Sequence, residues 1–318
     1  MQKVSLQRKR QLAWYMYDWA NSAFGTIIIT FVFGVYMTRT VMGGEAESSG
    51  YWSLTIGASG LIIAALAPLL GGMADRAHGY MKWLRVTTLS CVSLTLLLVF
   101  IHPDASWPLV LFALLIVALA NTAAELSYVF YNALLPSIST PANIGRVSGT
   151  AWGIGFLGGI GSLALVLVLF IGIGDFKPLL PISQEQDLNI RSCVVFVSLW
   201  YLIFSIPLFF YHSDISEKKA APAVSNLKQL KETFDYVLKI PSLFRLLIAS
   251  ALYRDGLATL FAVGGAFAAT TFDMSYSEVL IFAIGLNVSA GIGALFLARL
   301  EDKIGAKTMI IIPLACLI

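Results

Sequence analysis

Charged residues are scarce in this sequence of 318 residues. Asp, Glu, Lys and Arg make up only 12% of the chain, whereas a soluble domain carries about 25%. Hydrophobic residues make up 58% and the mean hydropathy is +0.81. This composition excludes an ordinary soluble fold and predicts an all-α, polytopic membrane protein, because helices satisfy their own backbone hydrogen bonds in lipid. The formal net charge of +3 gives no reason to expect a nucleic-acid partner.

Residues that carry enzymatic or metal chemistry are also few. The three cysteines lie in apolar runs without metal-ligand spacing, and the three histidines lie in predicted loops. We therefore expect no metal, no cofactor and no enzyme activity. A Walker-type phosphate loop is missing, which excludes ATP as the direct energy source. We also expect no cleavable signal peptide, because the first apolar run is too long and lacks a cleavage site.

Long apolar runs are what the sequence has instead. A helix of about 20 residues crosses a hydrocarbon core of about 30 Å. Spans 1 to 8, as we number them, are residues 13–37, 54–73, 83–101, 107–131, 147–173, 192–211, 243–271 and 276–298. A ninth run begins near Thr308 and is cut off at Ile318, so we expect a fragment or a truncated, non-functional product.

The basic residues are distributed unequally between the two ends of these spans. Seventeen of the 21 Lys and Arg residues fall on the side of the N-terminus and three on the other. By the positive-inside rule the N-terminus is expected in the cytoplasm.

Residues 213–242 are the one long cytoplasmic connection. Leu227, Leu230, Phe234, Val237 and Leu238 recur there at helical spacing. An amphipathic helix lying on the inner leaflet and a solvated linker helix are both open interpretations.

A weak internal repeat divides the chain. Asp75 and Asp302 follow spans 2 and 8 in similar sequences, 227 positions apart, and Tyr17–Phe24 echoes Tyr253–Phe261. Two halves in the same orientation explain this pattern. We expect a six-helix half at 1–212, the central loop at 213–242 and a partial second half at 243–318.

Ionisable residues within the spans are costly, by about 2.5–3.5 kcal/mol each at the bilayer centre. They are Asp18 in span 1, Glu125 in span 4, and Arg254 and Asp255 in span 7. One face of span 1 carries Asp18, Asn21, Ser22 and Gly25, while the opposite side carries the lipid-compatible Trp19 and Ile27. One face of span 4 carries Asn121, Glu125, Tyr128 and Asn132. These faces are expected to meet protein or water.

Three carboxylates against one guanidinium leave negative charge unmatched in the membrane. We predict that at least one of Glu125, Asp18 or Asp255 takes up a proton or a substrate amine. A zwitterionic amino acid suits the set, with its carboxylate on Arg254 and its ammonium on Glu125. In the structural alternative, Glu125 pairs with Arg254 to hold the halves together and Asp18 lies at the membrane edge. The predicted solute or proton pathway comprises Asp18, Asn21, Asn121, Glu125, Tyr128, Arg254 and Asp255.

Several stretches resemble the vacuole-effluxer-like branch of the major facilitator superfamily. They are Tyr-Asp-Trp-Ala-Asn-Ser-Ala-Phe at 17–24, Tyr-Asn-Ala-Leu-Leu-Pro at 131–136, residues 147–159 and Tyr-Arg-Asp-Gly at 253–256. The ends of spans 2 and 8 resemble the superfamily's cytoplasmic loop motif at Gly71, Asp75, Arg76 and Gly79, and at Asp302, Lys303 and Gly305. The first copy has an extra residue before Gly79, and the second has Ala298 in place of the leading glycine.

This resemblance implies two helical bundles in which spans 1, 4 and 7 line a central cavity and the loop motifs act as a cytoplasmic gate. It implies a secondary active transporter that moves a small polar solute, an amino acid or similar metabolite, by alternating access. Protons are a candidate coupling ion. We expect a monomer in the cell membrane of a bacterium, with the lipid bilayer as its other partner. The alternative is a transporter-like receptor or scaffold that binds a solute without moving it.

Glycines mark close helix packing. Span 5 carries the pairs Gly149/Gly153 and Gly155/Gly159, and span 8 carries Gly285, Ser289 and Gly293. Such small-residue spacing lets helices approach closely, and the resemblance implies that spans 5 and 8 pack across the two halves.

Overall fold

The structure, a computed structural model, describes residues 2–44, 46–77, 79–172, 177–211, 226–254, 256 and 276–316. These ranges are helical with short connections, and no strand occurs in them. The predicted all-α polytopic fold is therefore confirmed for this part of the chain. Asp255 and residues 257–275, which include most of span 7, lie outside the described residues.

Spans 1 to 6 are all present as helices long and apolar enough to cross a membrane. They are Leu6–Val41, Glu47–Ala74, Tyr80–Phe100, Trp107–Ala133, Ile144–Ile171 and Glu185–Tyr211. The predicted second half contributes Pro241–Arg254 in span 7, Tyr276–Ile304 for span 8 and Ala306–Cys316 for the ninth run. Spans 1 and 2 begin earlier than predicted, because polar residues that hydropathy excludes continue the helices beyond the apolar core.

Span 1 changes its winding halfway along. It is α-helical over Gln2–Ala23 and then π-helical over Phe24–Phe31, where the Thr30 hydroxyl donates to the Gly25 carbonyl at 2.9 Å. A π turn holds more residues than an α turn, so residues five apart come to lie above one another. This winding puts Gly25 and Thr30 on one side of span 1.

Aromatic and hydroxyl groups of span 1 form the core of the first half. Trp14 is 1% exposed, and its indole N–H donates to the Tyr131 carbonyl at 3.0 Å. The Tyr17 hydroxyl lies 2.6 Å from Thr88 Oγ1 and 3.0 Å from the Tyr201 hydroxyl. These contacts join spans 1, 3, 4 and 6 at one level, each hydrogen bond contributing about 1 kcal/mol.

The side of span 1 away from its polar face also packs against protein. Trp19 stacks on Trp200 of span 6 with ring centroids 5.6 Å apart, and Ile27 is fully buried. These apolar side chains therefore pack inside the bundle. Span 2 is much less covered by the described part of the chain, with Leu54 70% and Leu61 76% exposed.

Spans 5 and 8 pack closely, as predicted, but through other residues of span 8. A Cβ at Gly153 would overlap the Leu295 side chain and lie 3.2 Å from the Gly291 carbonyl oxygen. A Cβ at Gly285 or Gly293, which we expected at this contact, would meet no other described residue within 4 Å. The small-residue pattern therefore predicted the correct helix for this contact but the wrong face of that helix.

Glycines 155, 158 and 159 of span 5 pack on span 1 rather than on span 8. A Cβ at Gly158 would lie 2.5 Å from the Trp19 carbonyl oxygen, and one at Gly159 would lie 2.7 Å from Thr26 Oγ1. Span 5 therefore contacts span 1 on one face and span 8 on another.

The predicted helix in the central loop is present as Asn226–Lys239. It meets Pro241–Arg254 at 103°, with the break at the residue before Pro241, where proline disfavours the α conformation. Phe234 is 60% and Leu238 47% exposed, whereas Val237 is only partly exposed. Its placement on the inner leaflet stays a prediction.

Candidate functional site

A polar cleft of about 220 Å³ opens between spans 1 and 4. Six of its ten lining residues are polar. The lining consists of Asn21, Ser22, Phe24, Gly25, Ile29, Thr30, Asn121, Ala124, Glu125 and Tyr128. The structure thus brings together the two polar faces that the sequence indicated.

The wall from span 1 carries an amide with no partner. Asn21, Ser22 and Gly25 lie on one face as helical spacing predicted, and the π-helical turn adds Thr30. Asn21 is 3% exposed, and its Nδ2 makes no hydrogen bond within the described residues. Buried polar groups nearly always have a partner, so this amide is available to a ligand or to water.

The wall from span 4 carries the only charged group among the lining residues. Asn121 Nδ2 donates to Ser59 Oγ of span 2 at 2.7 Å, which fixes the amide. Glu125, one turn further along, is exposed at the cleft. Asn132, which we expected to extend this face, is exposed near the end of the helix and is not among the residues that line the cleft.

Asp18 lies behind the cleft. It is 4% exposed, and its Oδ1 accepts a hydrogen bond from the Tyr128 hydroxyl at 2.8 Å. On its other side the backbone of span 5 closes over it, since a Cβ at Gly155 would lie 3.0 Å from Asp18 Cγ. Asp18 is therefore enclosed by protein, and Tyr128 stands between its carboxylate and the cleft.

The second half adds less to the described site. Arg254 is exposed at the end of Pro241–Arg254, and no ion pair joins it to Glu125 in the described part of the chain. The structural alternative of an inter-half Glu125–Arg254 pair is thus not seen. Asp255, the other predicted site residue of span 7, lies outside the described residues.

The two loop motifs are described mainly through their backbones. Asp75 and Arg76 belong to the helix Ala46–Ala77, and Asp302 and Lys303 to Tyr276–Ile304. A Cβ at Gly71 would meet no other described residue within 4 Å, whereas Gly79 is buried. Gly305 separates two helices at φ +83°, a conformation that favours glycine. Their gate role stays a prediction.

Sequence reasoning missed three contributors to the site. Thr30 enters through a π turn, Ser59 is a single hydroxyl in an apolar span, and Gly155 acts through its lack of a side chain. Thr30 and Ser59 have no periodic signal. Gly155 belongs to a spaced pair that we expected to pack on span 8, but its neighbours are Asp18 and Ser22 of span 1.

Comparisons with known proteins all find membrane transporters. A family model described as "Vacuole effluxer Atg22 like" matches residues 37–318. The chain is 27% identical over 307 residues to a Bacillus subtilis (strain 168) protein described as "Uncharacterized MFS-type transporter YxiO", covering 95% of this chain and 70% of that protein. It also resembles the solved structure of the MFS proton:xylose symporter XylE bound to 6-bromo-6-deoxy-D-glucose. That likeness has a TM-score of 0.61 at 13% identity and covers 95% of this chain and 70% of XylE, so it shows the fold alone.

Proposed function

The chain belongs to the vacuole effluxer Atg22-like family of the major facilitator superfamily, and on that premise we propose that it moves a small, amine-bearing polar solute by alternating access. Its relatives and fold are those of multi-pass secondary transporters and not of enzymes. The solute class, an amino acid or similar metabolite, is our inference from the cleft.

The charge of the cleft carries this proposal. Glu125 supplies a carboxylate and no lining residue supplies a cation. A charge at membrane depth needs a partner, and a solute ammonium provides both the opposite charge and hydrogen-bond donors. The unpartnered Asn21 amide and the Asn121 amide flank this position for further polar groups. A volume of about 220 Å³ is below the roughly 300–1,000 Å³ of drug-sized pockets, which suits a small metabolite.

We assign the carboxylate of the solute to Arg254. This side chain is exposed and, among the described residues, in no ion pair, so its charge is available. It belongs to the second half, whereas Glu125 belongs to the first. A zwitterion bound to both Glu125 and Arg254 would draw the two side chains together. Solute binding would thereby be coupled to the conformational change that switches access from one side of the membrane to the other.

Protons are the proposed coupling ion, with Asp18 as the acceptor. Its side chain has a hydroxyl as partner and no cation in the described residues, so a proton would match its charge. Because Tyr128 contacts both the cleft and Asp18, occupancy of the cleft can be sensed at the carboxylate.

Uptake of labelled amino acids into proteoliposomes, with and without a pH gradient, tests the function. Glu125→Gln keeps the shape and removes the charge. It should weaken the binding of amine-bearing solutes by about 10- to 150-fold, the effect of losing a charged hydrogen bond of about 1.5–3 kcal/mol. Glu185→Gln is the matched control, because Glu185 is exposed in the 3-10 turn that begins span 6, outside the cleft.

Arg254→Ala should abolish uptake while the protein remains in the membrane. Unaltered flux in this variant would rule out the carboxylate assignment. Equal transport of solutes that lack an amine would rule out the assignment to Glu125.

A further inference from the structure

Three basic side chains converge on the last turn of span 6. Arg10 of span 1 donates from Nε to the Tyr211 carbonyl at 3.2 Å. Arg85 of span 3 donates from Nη2 to the Phe209 carbonyl, and its guanidinium lies 6.0 Å from the centroid of the Phe209 ring. Lys9 places its Nζ 6.0 Å from the centroid of the Tyr211 ring. We call Lys9, Arg10 and Arg85 the basic cluster.

Capping of the helix end explains only part of this cluster. The last carbonyls of a helix lack intrahelical partners, and cations near them are favourable. However, a helix C-terminus presents only about half a negative charge, against three full positive charges. Each arginine uses one of its five N–H groups on these carbonyls. Within the described ranges none of the three side chains is in an ion pair.

Apolar surface lies directly beside the basic cluster. Phe210, between the two capped carbonyls, is 82% exposed, and Val86, next to Arg85, is 48% exposed. In a membrane-spanning bundle such side chains face lipid. The cluster therefore lies where spans 1, 3 and 6 leave the hydrocarbon region, on the side that carries most of the Lys and Arg residues.

We propose that the basic cluster binds the phosphate headgroup of an anionic phospholipid. Guanidinium groups match phosphate oxygens in geometry and charge, and the lysine adds a third donor group. The exposed Phe210 ring would contact the upper part of the acyl chains. The cluster shares no residue with the cleft, so this site does not depend on the proposed function. Free phosphate offers the same headgroup chemistry without the apolar contact.

Thermal unfolding of the full chain in neutral detergent tests the site. Phosphatidylglycerol should raise the unfolding temperature saturably, whereas phosphatidylcholine of the same acyl chains and inorganic phosphate should not. Lys9→Gln is the first variant, because Lys9 makes no bond to the capped carbonyls and its loss should leave the fold intact. A contribution of about 1 kcal/mol per basic residue predicts about fivefold weaker apparent binding for it, and about 25-fold for Lys9→Gln with Arg85→Gln.

Lys177→Gln is the matched control, since Lys177 is exposed in the connection between spans 5 and 6, at the opposite end of the bundle. An equal loss in this control would overturn the proposal, as would equal stabilisation by phosphatidylcholine. Equal stabilisation by inorganic phosphate would replace the lipid with a free anion and likewise overturn it. If the double variant does not fold, the Lys9→Gln titration decides the outcome.

Discussion

Removing the Tyr128 hydroxyl should show how much its hydrogen bond stabilises the buried Asp18 carboxylate. The hydroxyl donates to Asp18 Oδ1 at 2.8 Å, and Asp18 is only 4% exposed. In Tyr128→Phe the carboxylate loses this partner while the ring, which lines the cleft, stays. Span 5 closes the other side at Gly155, so water has little access to replace the bond.

The expected loss follows from the charge of the acceptor. A hydrogen bond to an ionised group contributes about 1.5–3 kcal/mol, and a neutral one about 0.5–1.5 kcal/mol. Tyr128→Phe should therefore lower the free energy of unfolding by about 1.5–3 kcal/mol if Asp18 is ionised. A smaller loss would indicate that Asp18 carries its proton.

Tyr131→Phe supplies the control on the same helix. Tyr131 is 2% exposed, and its hydroxyl has no hydrogen-bond partner in the described structure, while its ring stacks on Trp14 at 4.3 Å. Removing an unsatisfied buried hydroxyl should leave stability unchanged or raise it by about 1 kcal/mol.

Denaturant titration of both variants in detergent, followed by tryptophan fluorescence, measures the difference. Uptake with and without a pH gradient gives a second readout, in which Tyr128→Phe should reduce the effect of the gradient and Tyr131→Phe should not. Equal stability and equal coupling in the two variants would refute the role given to the Tyr128–Asp18 contact.

Two further predictions concern packing and orientation. Gly158→Ala should cost about 1–3 kcal/mol in unfolding titrations, because its Cβ would lie 2.5 Å from the Trp19 carbonyl oxygen and spans 1 and 5 would have to move apart. Gly161→Ala, 3.5 Å from the Trp19 ring, should be tolerated, and equal losses would contradict this account of span 5. For orientation, a cysteine at Lys177 should react with a membrane-impermeant thiol reagent added outside intact cells, whereas one at Lys239 should react only after lysis. The reverse pattern would place the N-terminus outside.

The sequence predicted features that depend only on residues close together in the chain. The face with Asn21, Ser22 and Gly25 follows from helical spacing, and the membrane requires such a face to meet protein or water. The sequence did not predict which face of one helix packs against another. Span 8 has several small-residue faces, and Gly291 rather than Gly285 meets span 5. Spacing cannot distinguish them, because the choice depends on side chains of the partner such as Phe156.

The amino-acid sequence by itself determined that this is a polytopic helical membrane protein with carboxylates inside its spans. Only the tertiary structure decided what distinguishes those carboxylates. Asp18 is closed off by Tyr128, which lies 110 positions away, and by the backbone of Gly155, whereas Glu125 faces the cleft. The physical reason is that the surroundings of a charge are set by segments distant in the chain, and helical periodicity carries no information about which of them comes to lie beside it.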